Sequence, residues 1–375
     1  MADRHTRQRW LWQTRLTWVA PLLAVAVLCA AGLIWSPGDA MGGGKYDLGL
    51  MLGGNNSVGD PFQVDNLTVF PIYATKQPDV GKFVTLEEAV QARKAEVREL
   101  GADDAVRGGG NAQVSTLVID NRGGTTILVL AGTVVVGGKQ DRQVGQDFVI
   151  PPYKTVPIDA FCVEHGRWDG KREGKVTGGK FGSVPILANQ KVRGAGQYKK
   201  DQSEVWNQVS KVNADNSKSA STGTLLATLD DKEVSKRRNK VKGKLTKWLK
   251  GVPNQEKIVG LAYAVDGEVK GARWFINHSV LSKFRDTLLN TMATEALTAQ
   301  SAAKSAGRKM ITKKAKAKEV QGFVTELRKS AVKEKKKTKG ANENRYRETD
   351  KGFASDCVID VDGEAMPVTS DFLYK

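Results

Sequence analysis

Two clusters of polar side chains interrupt a part of the sequence that otherwise has the pattern of β-strands. The first covers residues 137–143 (GGKQDRQ), and the second covers residues 162–168 (CVEHGRW). Between them lie short apolar runs and a proline break, which predict two strands that bring both clusters to one end of a sheet. Because charged groups at this density are rare in a protein core, the sequence predicts a functional site here.

The first cluster has the residue types that bind an anion. Gly137 and Gly138 would let the backbone approach a ligand closely, and Lys139, Gln140 and Arg142 would donate hydrogen bonds to a phosphate or carboxylate. The alternative is an ordinary glycine turn beside charged residues. Neither a Walker motif nor a Gly-x-Gly-x-x-Gly helix start is present, which disfavours those nucleotide-binding folds.

The second cluster adds groups for catalysis and stacking. Strand alternation places Cys162 and Glu164 on one face, and Glu164 is a candidate general base or sugar ligand. Arg167 suits a phosphate, and Trp168 offers a ring for stacking. The alternative is a Glu164 to Arg167 ion pair that braces a strand end, with Trp168 in the core. A Cys162 and His165 hydrolase pair is disfavoured, because residues three apart at a strand end diverge.

The amino terminus has the pattern of a membrane anchor. Four arginines lie in residues 1–15, and residues 16–35 form an uncharged, mostly apolar run. A helix of about 20 residues crosses a hydrocarbon core of about 30 Å. The arginines place residues 1–15 in the cytoplasm and the bulk of the chain outside it, in the periplasm or at the cell surface. A cleaved signal peptide is the alternative.

Charge is distributed unevenly along the 375 residues. The formal net charge is +17, but residues 232–250 carry +8 and residues 304–347 carry +12, so the remainder of the chain stands at −3. Neither basic run interleaves the aromatic residues of single-strand binding platforms, which disfavours nucleic acid as a partner. A solvated tail or contact with an anionic envelope surface remains open.

The cysteine and histidine pattern predicts no metal site, and no cofactor is predicted. The chain has three histidines and lacks Cys-x-x-Cys and His-x-x-x-His spacing. Cys162 and Cys357 would form a disulfide in an oxidising compartment or remain buried free thiols. Both alternatives are open.

The elements around the clusters predict an α+β fold with a mostly antiparallel sheet and packed helices, preceded by one N-terminal transmembrane helix. Thr85 and Glu88 form a capping box for a helix that we expect to run to about Leu100. Residues 121–124 and Asp266-Gly267 predict hairpins. Residues 170–196 predict an exposed loop over the site. Further helices are expected at residues 202–212, 232–250 and 278–297.

These patterns give the following predicted organisation of the chain. The segments are a cytoplasmic basic terminus (1–15), a transmembrane anchor or uncleaved signal (16–35), a linker (36–60), an α+β domain (61–300) with a basic insertion (214–250), and a lysine-rich segment with closing strands (301–375).

At the two clusters the chain resembles a bacterial family, the ADP-ribosylglycohydrolase- and rhodanese-phosphatase-associated protein domain. The resemblance rests on LTVFPIY, TLEEA, LVLAGTVVVGGKQDRQ, VPIDAFCVEHGRW and FINHSVLSKF. It implies a role near NAD or ADP-ribose metabolism, on the basis of gene neighbourhoods. The positions that match the family's motif are Gly138, Lys139, Gln140, Arg142, Cys162, Glu164, Arg167 and Trp168.

Together these observations favour a membrane-anchored, extracytoplasmic domain that binds a phosphorylated or otherwise anionic small ligand. Lys139, Arg142 and Arg167 would donate to the anion, Trp168 would stack, and Glu164 with Cys162 are the candidate catalytic residues. Whether the chain is an enzyme stays open. The alternative is a non-catalytic envelope protein whose basic arms contact an anionic surface.

Overall fold

The computed structural model describes residues 46–51, 54–100, 113–310 and 312–375. The predicted anchor at residues 16–35 lies outside the described residues. Within the described part of the chain, no helix combines the length and the apolar character needed to cross a membrane.

Twenty-one strands form in the described residues. They are β1 (Tyr46–Met51), β2 (Gly54–Val58), β3 (Phe62–Val64), β4 (Leu67–Ala74), β5 (Phe83–Thr85), β6 (Ala95–Leu100), β7 (Gln113–Asn121), β8 (Thr126–Val129), β9 (Thr133–Gly137), β10 (Arg142–Val144), β11 (Phe148–Ile150), β12 (Thr155–Cys162), β13 (Lys171–Arg172), β14 (Lys175–Val176), β15 (Lys180–Leu187), β16 (Ile258–Val265), β17 (Glu268–Phe275), β18 (Glu334–Lys337), β19 (Asn342–Glu348), β20 (Gly352–Val361) and β21 (Glu364–Tyr374).

Seven α-helices accompany the strands in the described residues. They are α1 (Leu86–Gln91), α2 (Gln190–Arg193), α3 (Gln202–Asp215), α4 (Leu226–Leu229), α5 (Lys232–Gly251), α6 (His278–Ser305) and α7 (Ala317–Lys329). A π-helical turn, Gly194–Tyr198, follows α2 directly, and a short 3-10 helix spans Gln255–Lys257.

The strands form two main sheets. One has ten strands in the order β1-β2-β4-β16-β17-β21-β20-β19-β18, with β3 paired to β4. The other is a closed barrel in the order β10-β12-β7-β6-β15-β9, and its paired strands are all antiparallel. A three-stranded sheet, β11-β8-β5, contains a parallel pair. The predicted fold class, α+β with a mostly antiparallel sheet and packed helices, is confirmed.

Apolar side chains of the described residues form three cores. The largest packs α5, α6 and α7 against the ten-stranded sheet, around buried residues such as Leu245, Leu289 and Val320. A second fills the barrel, where Val97, Ile119 and Ile158 are buried. The third packs α2, α3 and α4 against the barrel's outer surface. Two of the three cores therefore meet at the barrel wall.

The prediction of the first helix was half right. Thr85 caps α1 through a complete capping box with Glu88, as expected. The helix ends at Gln91, however, and not near Leu100. Arg93 adopts a φ of 56°, and residues 95–100 (AEVREL) alternate between buried and half-buried positions as strand β6. This alternation has the strand period of two, and the prediction of a longer helix overlooked it.

One of the two predicted hairpins forms. Asp266 and Gly267 take φ values of 55° and 82° in the turn between β16 and β17, as a two-residue hairpin loop requires. The turn at residues 121–124 instead joins two sheets, because β7 pairs with β6 and β12 while β8 pairs with β5 and β11. Asn121 holds this junction by donating to the carbonyls of Thr125, Ile150 and Pro151.

The remaining helices match their predictions, and the long loop does not. Segments 202–212, 232–250 and 278–297 form α3, α5 and α6, and Asn277 caps the last of these through Val280. Residues 170–196 were expected to be a loop. They form the β13–β14 ribbon, barrel strand β15 and helix α2, because the apolar end of β15 enters the core.

Candidate functional site

Strand pairing brings the two polar clusters together. Strand β10 pairs with β12 so that Arg142 lies opposite Cys162. From the second cluster, the Arg167 guanidinium donates to the carbonyl oxygens of Gly138 (2.6 Å) and Gly137 (2.9 Å). The predicted meeting of the clusters is therefore present in the fold.

Arg167 lies at the centre of a buried ion network. Its Nε donates to both carboxylate oxygens of Glu164 at 3.1 Å, and its Nη2 lies 2.8 Å from Glu164 Oε2 and 3.3 Å from Asp141 Oδ1. The side chains of Arg167, Glu164 and Asp141 are 7%, 2% and 0% exposed. All three guanidinium nitrogens are thus engaged inside the protein, which is the geometry of the bracing alternative.

Asp141, a residue of the first cluster that sequence reasoning did not single out, completes this network. Its carboxylate accepts from Arg172 Nη1 at 2.8 Å and from Thr224 Oγ1 at 2.8 Å. Burial raises the pKa of Asp141, and the nearby Glu164 raises it further, while Arg172 and Thr224 oppose the rise. Its position as the lone acid among basic neighbours was the signal that could have marked it.

The two glycines serve packing against the barrel. A Cβ on Gly137 would lie 2.1 Å from the carbonyl oxygen of Lys180, and one on Gly138 would lie 2.2 Å from the Phe181 ring. Both have positive φ values, 143° and 48°. The close approach that the sequence suggested is therefore made to strand β15 and not to an open space.

The other polar side chains of the first cluster are buried or half-buried. Arg142 and Gln140 are fully buried, and Arg142 Nη1 donates to the Gln140 carbonyl at 2.7 Å. Gln140 Nε2 donates to the His165 carbonyl at 2.9 Å. Lys139 is half-buried, and its backbone N–H donates to Glu99 at 2.7 Å. Their predicted contact with an anion stays a prediction.

A cavity of about 440 Å³ opens beside this network, between barrel strand β12 and the edge of the large sheet. Cys162 and Trp168 of the second cluster line it, together with Trp206 from α3. The Trp168 side chain is 52% exposed, so it is not a core residue. Gln202 holds the wall, because its amide donates to and accepts from the Cys162 backbone at 2.8 Å.

The thiol in the cavity wall does not form a disulfide with the second cysteine. Burial raises the pKa of Cys162, although the Arg142 charge acts in the opposite direction. Cys162 and Cys357 are both buried free thiols, so the disulfide alternative does not form. A neutral thiol is a poor nucleophile, and Glu164 is occupied by Arg167. Catalytic roles for Cys162 and Glu164 stay predictions.

Two lysines stand at the cavity rim. Lys200 lies 3.0 Å from Glu334 and 5.6 Å from the centre of the Tyr346 ring. Lys336 comes from edge strand β18 and pairs with Asp159 of the barrel. The sequence left the lysine run containing Lys336 as a solvated tail or a contact for an anionic surface, because nothing local in it indicates that β18 adds to the large sheet.

Gln197 supplies a buried acceptor in the cavity lining. It lies in the π-helical turn, a feature often found at functional sites, and it is 2% exposed. Its Nε2 donates to Ser355 at 3.1 Å, while its Oε1 accepts no hydrogen bond from the described residues. A buried acceptor left without a donor is costly unless a ligand or water supplies one.

A second buried ion network joins α2 to the large sheet. Arg193 pairs with Asp371 at 3.2 Å, and Arg273 pairs with Asp147 at 2.8 Å and Asp371 at 3.4 Å. Burial alone would raise the pKa of Asp371, but Arg193 and Arg273 hold it below its usual range. This network fixes the turn that carries Gln197.

The fold and site thus define an α+β protein in which a closed barrel and a ten-stranded sheet enclose an aromatic-lined cavity beside a buried ion network. A sequence model of the ARG and Rhodanese-Phosphatase-superfamily-associated Protein domain, ARPP-1, matches residues 55–369. The chain belongs to this family. No curated protein and no solved structure matches it.

Proposed function

We propose that this chain binds a small ligand that combines a flat ring with a phosphoryl or other anionic group, in the cavity next to CVEHGRW. The observation that carries the proposal is the joint presence of an exposed Trp168 ring, a second indole from Trp206 and the ammonium groups of Lys200 and Lys336 in one cavity lining. A volume of about 440 Å³ lies within the usual range of small-molecule sites.

Each wall of the cavity suits one part of such a ligand. Trp168 presents a face on which a heterocycle would stack, which contributes about 1–3 kcal/mol for a base on an aromatic ring. Lys200 and Lys336 also line the cavity, where they pair with Glu334 and Asp159, and would attract an anionic group.

The buried ion network then has a positioning role. Arg167 ties the loop that carries Trp168 to Gly137 and Gly138, and Trp206 Nε1 donates to the Glu164 carbonyl at 3.2 Å. The matched family motif would thereby hold the two indoles at the cavity. On this proposal Arg167 and Glu164 do not contact the ligand. They affect its binding by positioning the rings of Trp168 and Trp206.

The family's association with ADP-ribosylglycohydrolases makes ADP-ribose and NAD the first ligands to test. Thermal unfolding of the full chain, followed by tryptophan fluorescence, would be measured with ADP-ribose, NAD, AMP and ribose 5-phosphate. We expect a rise in midpoint with a ring-containing phosphate that disappears in Trp168→Ala. The matched control is Tyr153→Ala, which removes a ring that is 74% exposed outside the cavity lining. An unchanged midpoint with every ligand would contradict the proposal.

We also propose that residues 16–35 anchor the chain with its bulk outside the cytoplasm. The support is the apolar run and the arginines that precede it. Cell fractionation is expected to find the full chain in membranes and a chain beginning at Lys45 in the soluble fraction. External protease should degrade the full chain in spheroplasts, and protection from the protease would contradict this orientation.

A further inference from the structure

Helix α5 carries a stripe of lysines along its outer face. Val234, Val241, Leu245 and Leu249 bury the opposite face against the core. The exposed lysines are Lys232, Lys236, Lys240, Lys244, Lys247 and Lys250. They recur three or four positions apart and so lie on one side of the helix over about 27 Å.

The charges of this stripe are not neutralised by other described residues. None of the six lysines forms an ion pair in the described part of the chain. Asp231 and Glu233 lie at the start of the helix, and Asp60 lines a groove together with Lys244 and Lys247 at its other end. Asp286 of α6 pairs with Lys242 on the helix flank. The six lysines of the stripe thus outnumber the acids beside them and give this face an excess of positive charge.

The two arginines of the same helix form hydrogen bonds with neighbouring helices of the protein. Arg237 donates to Gln300 of α6, and Arg238 donates to the Leu229 carbonyl at 2.8 Å. Burial lowers the pKa of Arg238. The helix thus turns its arginines toward the protein and leaves compact, flexible ammonium groups outside, an arrangement suited to many equivalent anions rather than to one planar partner.

An apolar groove of about 650 Å³ adjoins the carboxyl-terminal end of the stripe. Phe62 and Trp248 stack in its wall with ring centres 5.2 Å apart, and Tyr73 lies beside them. Lys244 and Lys247 stand at its edge. Cations next to an apolar slot match an amphiphile that has an anionic head and a hydrocarbon tail.

From this geometry we propose that the outer face of α5 docks on an anionic phospholipid surface, with the groove beside Trp248 receiving an acyl chain. A linear array of lysines matches a plane of phosphate headgroups, and clusters of four to eight basic residues on an amphipathic helix are typical of such contacts. Nucleic acid fits less well, because the stacking of Phe62 on Trp248 already covers one face of each ring.

The proposal is tested by the partition of the full chain onto vesicles at limiting lipid. Vesicles that contain phosphatidylglycerol are compared with vesicles of phosphatidylcholine alone, and the ratio of the two partition constants is recorded. Because residues 16–35 contribute equally in every variant, changes in this ratio report on α5. A lysine near an anionic leaflet strengthens binding about fivefold, so Lys236→Gln with Lys240→Gln and Lys244→Gln should lower the ratio on the order of 100-fold.

A matched variant separates the effect of the α5 surface on binding from the effect of net charge. Lys154→Gln with Lys175→Gln and Lys191→Gln removes the same charge from exposed positions outside α5. We expect its ratio to equal that of the unaltered chain, and we expect high salt to abolish the preference for phosphatidylglycerol. Equal losses in both triple variants, no loss in the α5 variant, or a loss confined to binding of duplex DNA would each overturn the proposal. Far-ultraviolet circular dichroism confirms that each variant is folded.

Discussion

At the scale of single residues, the matched motif forms a buried ion network that braces the fold. Arg167 binds Glu164, Asp141 and three backbone carbonyls while its side chain remains 7% exposed. Breaking such a buried pair leaves a carboxylate uncompensated, which costs more than the intact pair contributes. Two residues of the motif line the cavity, Cys162 and Trp168, and the Trp168 side chain is the exposed one.

Replacement of the central cation should therefore destabilise the fold. Arg167→Ala is expected to lower the free energy of unfolding by about 3–5 kcal/mol, because Glu164 loses its partner in a buried setting. Urea unfolding followed by tryptophan fluorescence measures this loss. The control is Arg122→Ala, whose 53% exposed side chain pairs with Asp120 and Glu96 at the surface and should cost less than about 1 kcal/mol. Equal stability of both variants, with ligand binding lost in Arg167→Ala alone, would instead make Arg167 a ligand contact.

Acidification should release the second ion network. Arg193 and Arg273 hold the pKa of Asp371 below that of an unfolded aspartate, about 3.9. Unfolding therefore takes up a proton, so this stabilisation is complete above pH of about 4 and is lost as pH falls through the folded pKa. Asp371→Asn should be less stable at neutral pH and should show a flatter decline in acid. Urea midpoints measured across this window test the prediction, and parallel curves for the two chains would refute it.

At the scale of elements, barrel closure depends on the contact between β9 and β15. Gly137 pairs with Phe181 across these strands, and the space for its side chain is filled by the Lys180 carbonyl. Gly182, the next residue of β15, has no atom within 4 Å of the corresponding position. The two glycines thus form a natural comparison within one strand pair.

Adding a methyl group at each glycine should separate their roles. Gly137→Ala is expected to destabilise the chain by more than about 2 kcal/mol, because the new Cβ meets backbone at a φ of 143°. Gly182→Ala should change stability by less than about 0.5 kcal/mol. Both values come from urea unfolding. Comparable effects of the two substitutions would show that the β9–β15 contact is looser than the structure has it.

The elements also show how far sequence patterns reach. Predictions from local signals were confirmed: Thr85 caps the start of a helix, and Asp266-Gly267 forms the turn of a hairpin. Pairing between distant segments was missed, since neither the junction at Asn121 nor the place of β18 in the large sheet is encoded in a short window. The meeting of the two clusters followed from strand geometry. The network around Arg167, however, is completed through Asp141 by Arg172 and Thr224, which both lie outside the two clusters.

At the scale of the whole molecule, the lysine stripe and the cavity lie on different elements. The lysine stripe lies on α5 over the large sheet, and the cavity lies between the barrel and strand β18. The proposed anchor, the lysine face and the cavity would together make a protein held at a membrane with a binding site for a small anionic molecule. The family match covers both the cavity and the lysine face.

Calorimetric titration of the full chain with the ligand that gives the largest thermal shift would decide whether the ligand binds in the cavity. We expect a one-to-one complex whose dissociation constant rises about 5–150-fold in Trp168→Ala, equivalent to the loss of about 1–3 kcal/mol of stacking. Tyr153→Ala should leave the constant unchanged. An unaltered dissociation constant in Trp168→Ala would contradict the claim that the cavity beside the buried network is the binding site.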